Sequence, residues 1–169
     1  MWGRGNEPFS YRLGDGRLLT ELIEIRPVTG ADRDAWAGLF RDYMVFYGCA
    51  VSETALDTTW GWIIDPDGPM ECLLAVRDGQ VIGFAQYRAV PETLTGSWFG
   101  QLDDLYVTPE ARSHGVAQAL MQRLGETARD RGWFKLAWIT AEDNATARRL
   151  YDQIGNASNW VVYEKPIEG

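Results

Sequence analysis

The sequence predicts a single α/β domain built on a mixed, mostly antiparallel sheet flanked by helices. Three observations carry that expectation. Apolar runs of strand length are interleaved with longer runs that keep helical spacing. Asp78-Gly79 sits between two apolar runs, the strongest short-range hairpin signal. No linker, internal repeat or low-complexity tract divides the 169 residues, a length that suits one domain with a proper core.

Residues 1–20, "MWGRGNEPFSYRLGDGRLLT", are Gly-rich without a sustained period. They read as a flexible N-terminal extension, or the product of an upstream start, and the domain is expected to span 21–169. In "LIEIRPVT", Ile23 and Ile25 share one strand face. Residues 29–32 offer helix-start chemistry, and Trp36, Leu39, Phe40, Tyr43 and Tyr47 then follow at helical spacing. Ser52, followed by Glu53, is the expected N-cap of a second, shorter helix, which ends at "DPDGP". "ECLLAVRDGQVIGFAQYRAV" is the hairpin, and "SWFGQLDDLYV" a third antiparallel strand. A long helix over about 115–131, a strand "FKLAWIT", a helix "NATARRLYDQI" and a last strand "NWVVYEKPI" complete the order.

Composition narrows the function. Apolar residues make up 46% and charged residues 24%, ordinary values for a globular protein. The net charge of −8 argues against a general nucleic-acid grip, which needs clustered Lys and Arg, and suits cationic substrates if it is more than ordinary acidity. Cys49 and Cys72 lie far apart without metal-ligand spacing, so no metal is expected, and both read as free buried thiols in a reducing compartment. No apolar run reaches the roughly 20 residues needed to span a bilayer, and no signal-peptide core is present, so a cytoplasmic protein is expected.

The stretch "DLYVTPEARSHGVAQALM" carries the chemistry. A strand ends in a turn and opens straight into a helix, whose first amides are unpaired and whose dipole is positive there, so the turn can hold a phosphate. Gly115 removes a Cβ where the backbone must approach something closely. Val116, Leu120, Leu124 and Ala128 form the stripe that pins the helix to the sheet. Arg112 either neutralises an anion or braces the loop. A tight strand-to-helix joint would account for the same residues. Further on, Asn144 precedes Tyr151 by seven residues, nearly two helical turns, which places both on one helix face about 10 Å apart. An N-cap and a core aromatic are the simpler roles for this pair.

With "AEDNATARRLYDQIG" and "VVYEKPI" added, the sequence resembles the acetyl-CoA-dependent GNAT-type N-acetyltransferases, from Ile23 to Ile167 and most specifically from Leu102 onward. Within that superfamily it is most similar to the histone/polyamine and spermidine/spermine branch, on the cues "LDDLYV", Trp138 and the Asn144/Tyr151 helix. The resemblance implies a GNAT-like acyl-CoA N-acyltransferase fold. The family's Q/R-x-x-G-x-G/A signature falls on Arg112, Gly115 and Ala117. By that resemblance the amides of Ser113, His114, Gly115, Val116, Ala117 and Gln118 would hold the CoA pyrophosphate. Main-chain groups of Leu105, Tyr106 and Val107 would pair with the pantetheine arm, Asn144 would bind the cofactor's amide region, and Tyr151 would sit at the sulfur. A homodimer is implied too, through the aromatic N-terminal helices or the final strand.

Acetyl transfer needs a neutral amine, yet an alkylamine has a pKa of about 10.4. A carboxylate or water chain must take its proton. An oxyanion donor, such as a backbone N–H near Val107, and an acid for the leaving thiolate, the Tyr151 phenol, complete the requirement. Asp103 and Asp104 stand at the strand end, and strand alternation lets only one of them face the acceptor. Asp103 matches the position that works through water in the polyamine branch. It is taken as the base, with Asp104 as an orienting or substrate-charge residue, although both could simply be solvated or paired with an Arg. His114 is expected to face outward, Cys49 has no recognisable base beside it, and Glu71 is expected to be solvated. Trp60, Trp62, Trp98 and Phe99 are pocket or core residues.

The expected activity is therefore transfer from acetyl-CoA to a primary amine, with a small cationic acceptor favoured by the acidic balance. A protein lysine or N-terminal acetyltransferase and a non-catalytic CoA-binding sensor are the alternatives. A toxin-like acetyltransferase of charged tRNA would want a basic surface.

Overall fold

The structure, a computed structural model, describes residues 10–12, 18–20 and 23–167. Two short strands, β1 (Ser10–Arg12) and β2 (Leu18–Thr20), pair antiparallel. They lie within the extension expected over 1–20, whose other residues fall outside the described ones. The elements that follow are β3 (Glu24–Pro27), α1 (Arg33–Phe46), α2 (Glu53–Ile64), β4 (Glu71–Arg77), β5 (Gln80–Glu92), β6 (Ser97–Val107), α3 (Val116–Asp130), β7 (Leu136–Ala137) and α4 (Ala145–Ile154). Strands β3 to β7 form one sheet in chain order, antiparallel throughout except for the parallel pair β6/β7. The α/β class and the mixed, mostly antiparallel sheet are as the sequence predicts.

Local chemistry explains the joints. Asp78 and Gly79 both adopt positive φ, 52° and 77°, as a two-residue hairpin with the twist of its strands requires, and Arg77 pairs with Gln80. Asp32 opens α1 after a 3₁₀ turn (Gly30–Asp32). Its carboxylate accepts from the Thr29 amide (2.8 Å) and hydroxyl (2.7 Å) and is forked by Arg26 at 2.8 and 2.7 Å. Ser52 Oγ accepts from the Ala55 amide at 3.2 Å and caps α2.

The sheet is covered on both faces. On one, Val116, Leu120 and Leu124 of α3 pack on Leu73, Ala75, Ala85 and Leu102. On the other, Trp36 and Leu39 of α1 and Leu56 and Ile63 of α2 pack on Leu74, Val76, Phe84 and Tyr106. This double burial explains why β4 reads as the unbroken apolar run "CLLAV" rather than as an alternation. Each fully buried leucine stabilises the fold by about 1.5–3 kcal/mol.

Four expectations change. Glu71 is ion-paired: Arg131 reaches it at 2.5 and 2.7 Å, and the Tyr87 hydroxyl donates to it at 3.2 Å. Cys72 is buried but Cys49 is exposed, and both are free thiols. The run "FKLAWIT" contributes only Leu136 and Ala137 as strand. Residues 156–167 have no regular secondary structure. An apolar run of strand length is not sufficient for a strand, because a strand also needs a paired neighbour for its amides. Residues 139–167, with α4, are described on their own. Among the described residues no helix is long and apolar enough to cross a membrane, and no cluster of three His, Cys, Asp or Glu could hold a metal.

Candidate active site

The turn between β6 and α3 is built by backbone geometry that few residues tolerate. After a 3₁₀ turn (Pro109–Ala111), Ser113 and Gly115 both take positive φ, 64° and 77°. Gly115 is the N-cap of α3, and its carbonyl accepts from the Ala119 amide at 2.9 Å. Ala119 is the first amide of this helix to find a backbone acceptor. Ahead of it, the amides of Ser113, Gly115, Val116, Ala117 and Gln118 have no backbone acceptor among the described residues. Helix start and left-handed turn thus present N–H groups together, a concavity suited to an anion.

Arg112 braces this turn. Its Nε donates to the Val107 carbonyl at 3.0 Å, and its guanidinium lies 5.7 Å from the Phe46 ring centroid and 5.8 Å from that of Tyr106. The His114 ring donates from Nδ1 to the Arg112 carbonyl at 2.7 Å. Val116 and Leu120 are buried against the sheet, which fixes the helix axis behind the turn.

Strand β6 leads into the turn with one edge largely open. It pairs with β5 from Ser97 to Val107 but with β7 only at Gly100 and Gln101. Past Gln101, the main chain of Leu105, Tyr106 and Val107 has no strand partner on that second edge among the described residues. An extended, amide-bearing chain could add there as a further strand.

The two acids part company at an irregularity in this strand. Gln86 is opposite Asp104 and Tyr87 is opposite Leu102, so Asp103 is the extra residue of a β-bulge. Asp103 lies exposed and is forked by Arg88, at 3.0 Å from Nε and 3.2 Å from Nη2. Asp104 is half-buried and accepts from Gln86 Nε2 at 2.6 Å and from the Tyr43 hydroxyl. Burial pushes the Asp104 carboxyl above the usual carboxylate range, the hydrogen bonds from Tyr43 and Gln86 pull the other way, and neighbouring Asp103 adds to the rise. Burial also raises the Tyr43 phenol, helped by the Asp104 charge. Gln86 Oε1 in turn accepts from the Trp36 indole at 2.9 Å.

The sequence reading assigns the turn and the acid pair to one site; the structure has Asp103 and Asp104 within β6 and the turn directly after its last residue, Val107. That reading passes over Gln86 and takes Trp36 and Tyr43 only as members of a helical stripe. The available signal was a lone amide inside the apolar run "VIGFAQYRAV". Trp60 joins the aromatic cluster around Trp36, whereas Trp62 and Trp98 are exposed. On α4, Asn144 is the N-cap, its Oδ1 accepting from the Ala147 amide at 3.2 Å, and Tyr151 lies seven residues on, in the same helix.

The profile of the Acetyltransferase (GNAT) family matches residues 36–155. The D-amino-acid N-acetyltransferase HPA3 of Saccharomyces cerevisiae is 28% identical over 155 residues, covering 88% of this chain and 94% of the yeast protein. A thialysine N-epsilon-acetyltransferase of Caenorhabditis elegans is 39% identical over 61 residues, 34% of this chain and 38% of the relative. Among solved structures, a ribosomal-protein-alanine N-acetyltransferase from Brucella melitensis biovar Abortus superposes with a TM-score of 0.71 at 28% identity, covering 86% of this chain and 99% of that one.

Proposed function

The chain belongs to the GNAT acetyltransferase family and is an N-acetyltransferase, and we propose that it acetylates the primary amine of a small cationic acceptor with acetyl-CoA. The single observation that carries the donor half is the array of Ser113, Gly115, Val116, Ala117 and Gln118 amides, without backbone acceptors among the described residues and lying at the end of an open β6 edge. Ser113, His114, Gly115, Val116, Ala117 and Gln118 would hold the pyrophosphate. Leu105, Tyr106 and Val107 would pair with the pantetheine amides. Arg112 keeps the turn in place, and Asn144 would reach the cofactor through the part of its side chain not used in capping. Acetyl-CoA supplies an acetyl group activated as a thioester.

The remaining chemistry falls to side chains of this protein. A carboxylate of the Asp103/Asp104 pair takes one proton from the acceptor's ammonium. The freed lone pair forms the C–N bond as the C–S bond breaks. The Tyr151 phenol protonates the departing sulfur and regains a proton from the acylated nitrogen, so one proton in total passes to solvent. A backbone N–H near Val107 would steady the oxyanion.

The small-amine preference draws on the acidic balance of the chain and on relatives named for D-amino acids and thialysine. The Brucella structure, named for a ribosomal-protein alanine, favours a protein acceptor as the second reading. A cytoplasmic homodimer completes the proposal, supported by two unpaired cysteines and by the exposed aromatics Trp160 and Tyr163 as a candidate contact. The test is a panel of D-amino acids, diamines, aminoglycosides and Ala- or Ser-starting peptides with acetyl-CoA, read as released thiol. Turnover of small amines over peptides is expected, and Tyr151→Phe should keep CoA binding but lose most turnover. Turnover of peptides alone would reverse the acceptor assignment, and binding without any turnover would favour a sensor.

A further inference from the structure

We infer that Asp104 is the group that takes the proton from the acceptor amine, and that Gln86 is its positioning residue, held in one orientation by the indole of Trp36. The inference rests on the reading above that the chain acetylates an amine.

The bulge in β6 gives the two acids different surroundings. Asp103 has both oxygens engaged by the planar fork of Arg88 on the exposed side. Asp104 is turned toward α1, in a half-buried place among apolar rings, where its hydrogen-bond partners are neutral donors.

Hydrogen-bond chemistry then fixes the direction of the chain. An indole N–H can only donate, so the Gln86 atom facing Trp36 Nε1 at 2.9 Å must be the carbonyl oxygen. The other end of the amide, an NH₂, is thereby forced toward Asp104 Oδ2 at 2.6 Å. The amide cannot flip without setting donor against donor at one end and acceptor against acceptor at the other. Gln86 and Trp36 are both fully buried.

A buried amide in the middle of a strand needs a reason. Among the described residues only Asp32 and Gln86 are buried polar or charged side chains. Asp32 caps a helix start and pairs with Arg26. Gln86 does neither, and an apolar residue of equal volume would avoid the cost of burying its polar atoms. Its distinguishing effect is to occupy one lone pair of Asp104 and leave the others directed elsewhere.

The groups facing Asp104 are Tyr43 on α1 with Tyr47 behind it at the helix C-cap, Cys72 on β4, Gln86 on β5 and Asp103 on its own strand, itself engaged by Arg88. Burial raises the Asp104 carboxyl, the direction that suits a base working near neutrality. In the step, an N–H bond of the ammonium breaks and an O–H bond forms on the carboxyl, directly or through one water. The ammonium and the carboxylate both become neutral, and the carboxyl later releases its proton to solvent.

The test compares Gln86→Met, Trp36→Phe, Asp103→Asn and Asp104→Asn in the full chain. Two readouts are needed: the 13C-NMR titration of the Asp104 carboxyl in the free protein, and the pH profile of turnover with the best amine. Gln86→Met removes a donor that favours the charged form, so the Asp104 midpoint should rise by about one pH unit and the acid limb should rise with it. Turnover should fall about 10–100-fold with the KM for acetyl-CoA unchanged. Trp36→Phe keeps the ring but lacks the N–H; it should move both readouts the same way by less, and it carries the test if Gln86→Met fails to fold. The limb should survive in Asp103→Asn and vanish in Asp104→Asn. A limb that ignores the Gln86 and Trp36 changes, or that disappears with Asp103 instead, overturns the inference while amine turnover by the unaltered protein still stands. No turnover of any amine by the unaltered protein overturns the parent reading and this inference with it.

Discussion

The guanidinium of Arg112 donates to the main-chain carbonyl of Val107 at 3.0 Å, tying the turn ahead of α3 to the last residue of β6. The same group lies against the rings of Phe46 and Tyr106. Its Nε and its faces are therefore committed to the protein, and shape matters more than charge. Arg112→Lys should fail as Arg112→Ala does, because an ammonium supplies neither the planar fork nor the stacked face. Both variants should raise the KM for acetyl-CoA about tenfold, with a smaller effect on kcat. Steady-state kinetics in acetyl-CoA checks this, and a lysine variant with unchanged KM would mean that the turn needs only a cation.

Gly115 holds φ at 77° as the N-cap of α3. A Cβ there costs roughly 1–2 kcal/mol in the left-handed region. Gly115→Ala should lower Tm by roughly 2–8 °C for a chain of this size. Thermal unfolding reads it, and an unchanged Tm would show that the turn relaxes without loss.

Asp104 gives a pH-dependent prediction with a definite sign. Its folded pKa is raised by burial, so the fold carries a penalty that is absent below the unfolded pKa and full above the raised folded one. Asp104→Asn removes that penalty. The amide oxygen can still accept from Gln86, and the Tyr43 hydroxyl can rotate to accept from the new NH₂. At pH 7 the variant should be more stable, with a higher Tm, and the gain should shrink in acid. Turnover should fall at the same time. A variant less stable than the unaltered protein at pH 7 would contradict the assigned environment.

Asp32 gives the opposite sign. The Arg26 fork, with the Thr29 hydroxyl and amide adding to it, holds this carboxyl well below the usual carboxylate range. Its stabilisation is present above the unfolded pKa of about 3.9 and is lost as pH falls toward the depressed folded value. Asp32→Asn should cost about 1–3 kcal/mol at pH 7, and the gap to the unaltered protein should narrow below about pH 4. Denaturant melts at pH 7 and pH 3 measure both. Equal gaps at the two pH values would remove the ion pair from the account.

Much of this architecture was legible in the residues because local chemistry decides it. Asp78-Gly79, Ser52 and the Val116–Leu120–Leu124 stripe each act within a few residues, and each is found where its chemistry requires. The β6–α3 turn was legible for the same reason. Tertiary pairing was not. Glu71 meets Arg131 from 60 positions away, and Gln86 meets Trp36 from 50. Simple alternation along β6 separates Asp103 from Asp104 but cannot announce a bulge, and the bulge sets which of them the core surrounds. Asn144, matched to a cofactor role by resemblance, is found as a helix cap.

Titration calorimetry of the full chain with CoA and with acetyl-CoA tests the central claim most directly. The amides around Gly115 should give saturable one-to-one binding in the micromolar range for both, strongly weakened in Gly115→Val. Absence of binding by either compound, or undiminished binding by Gly115→Val, would contradict the account.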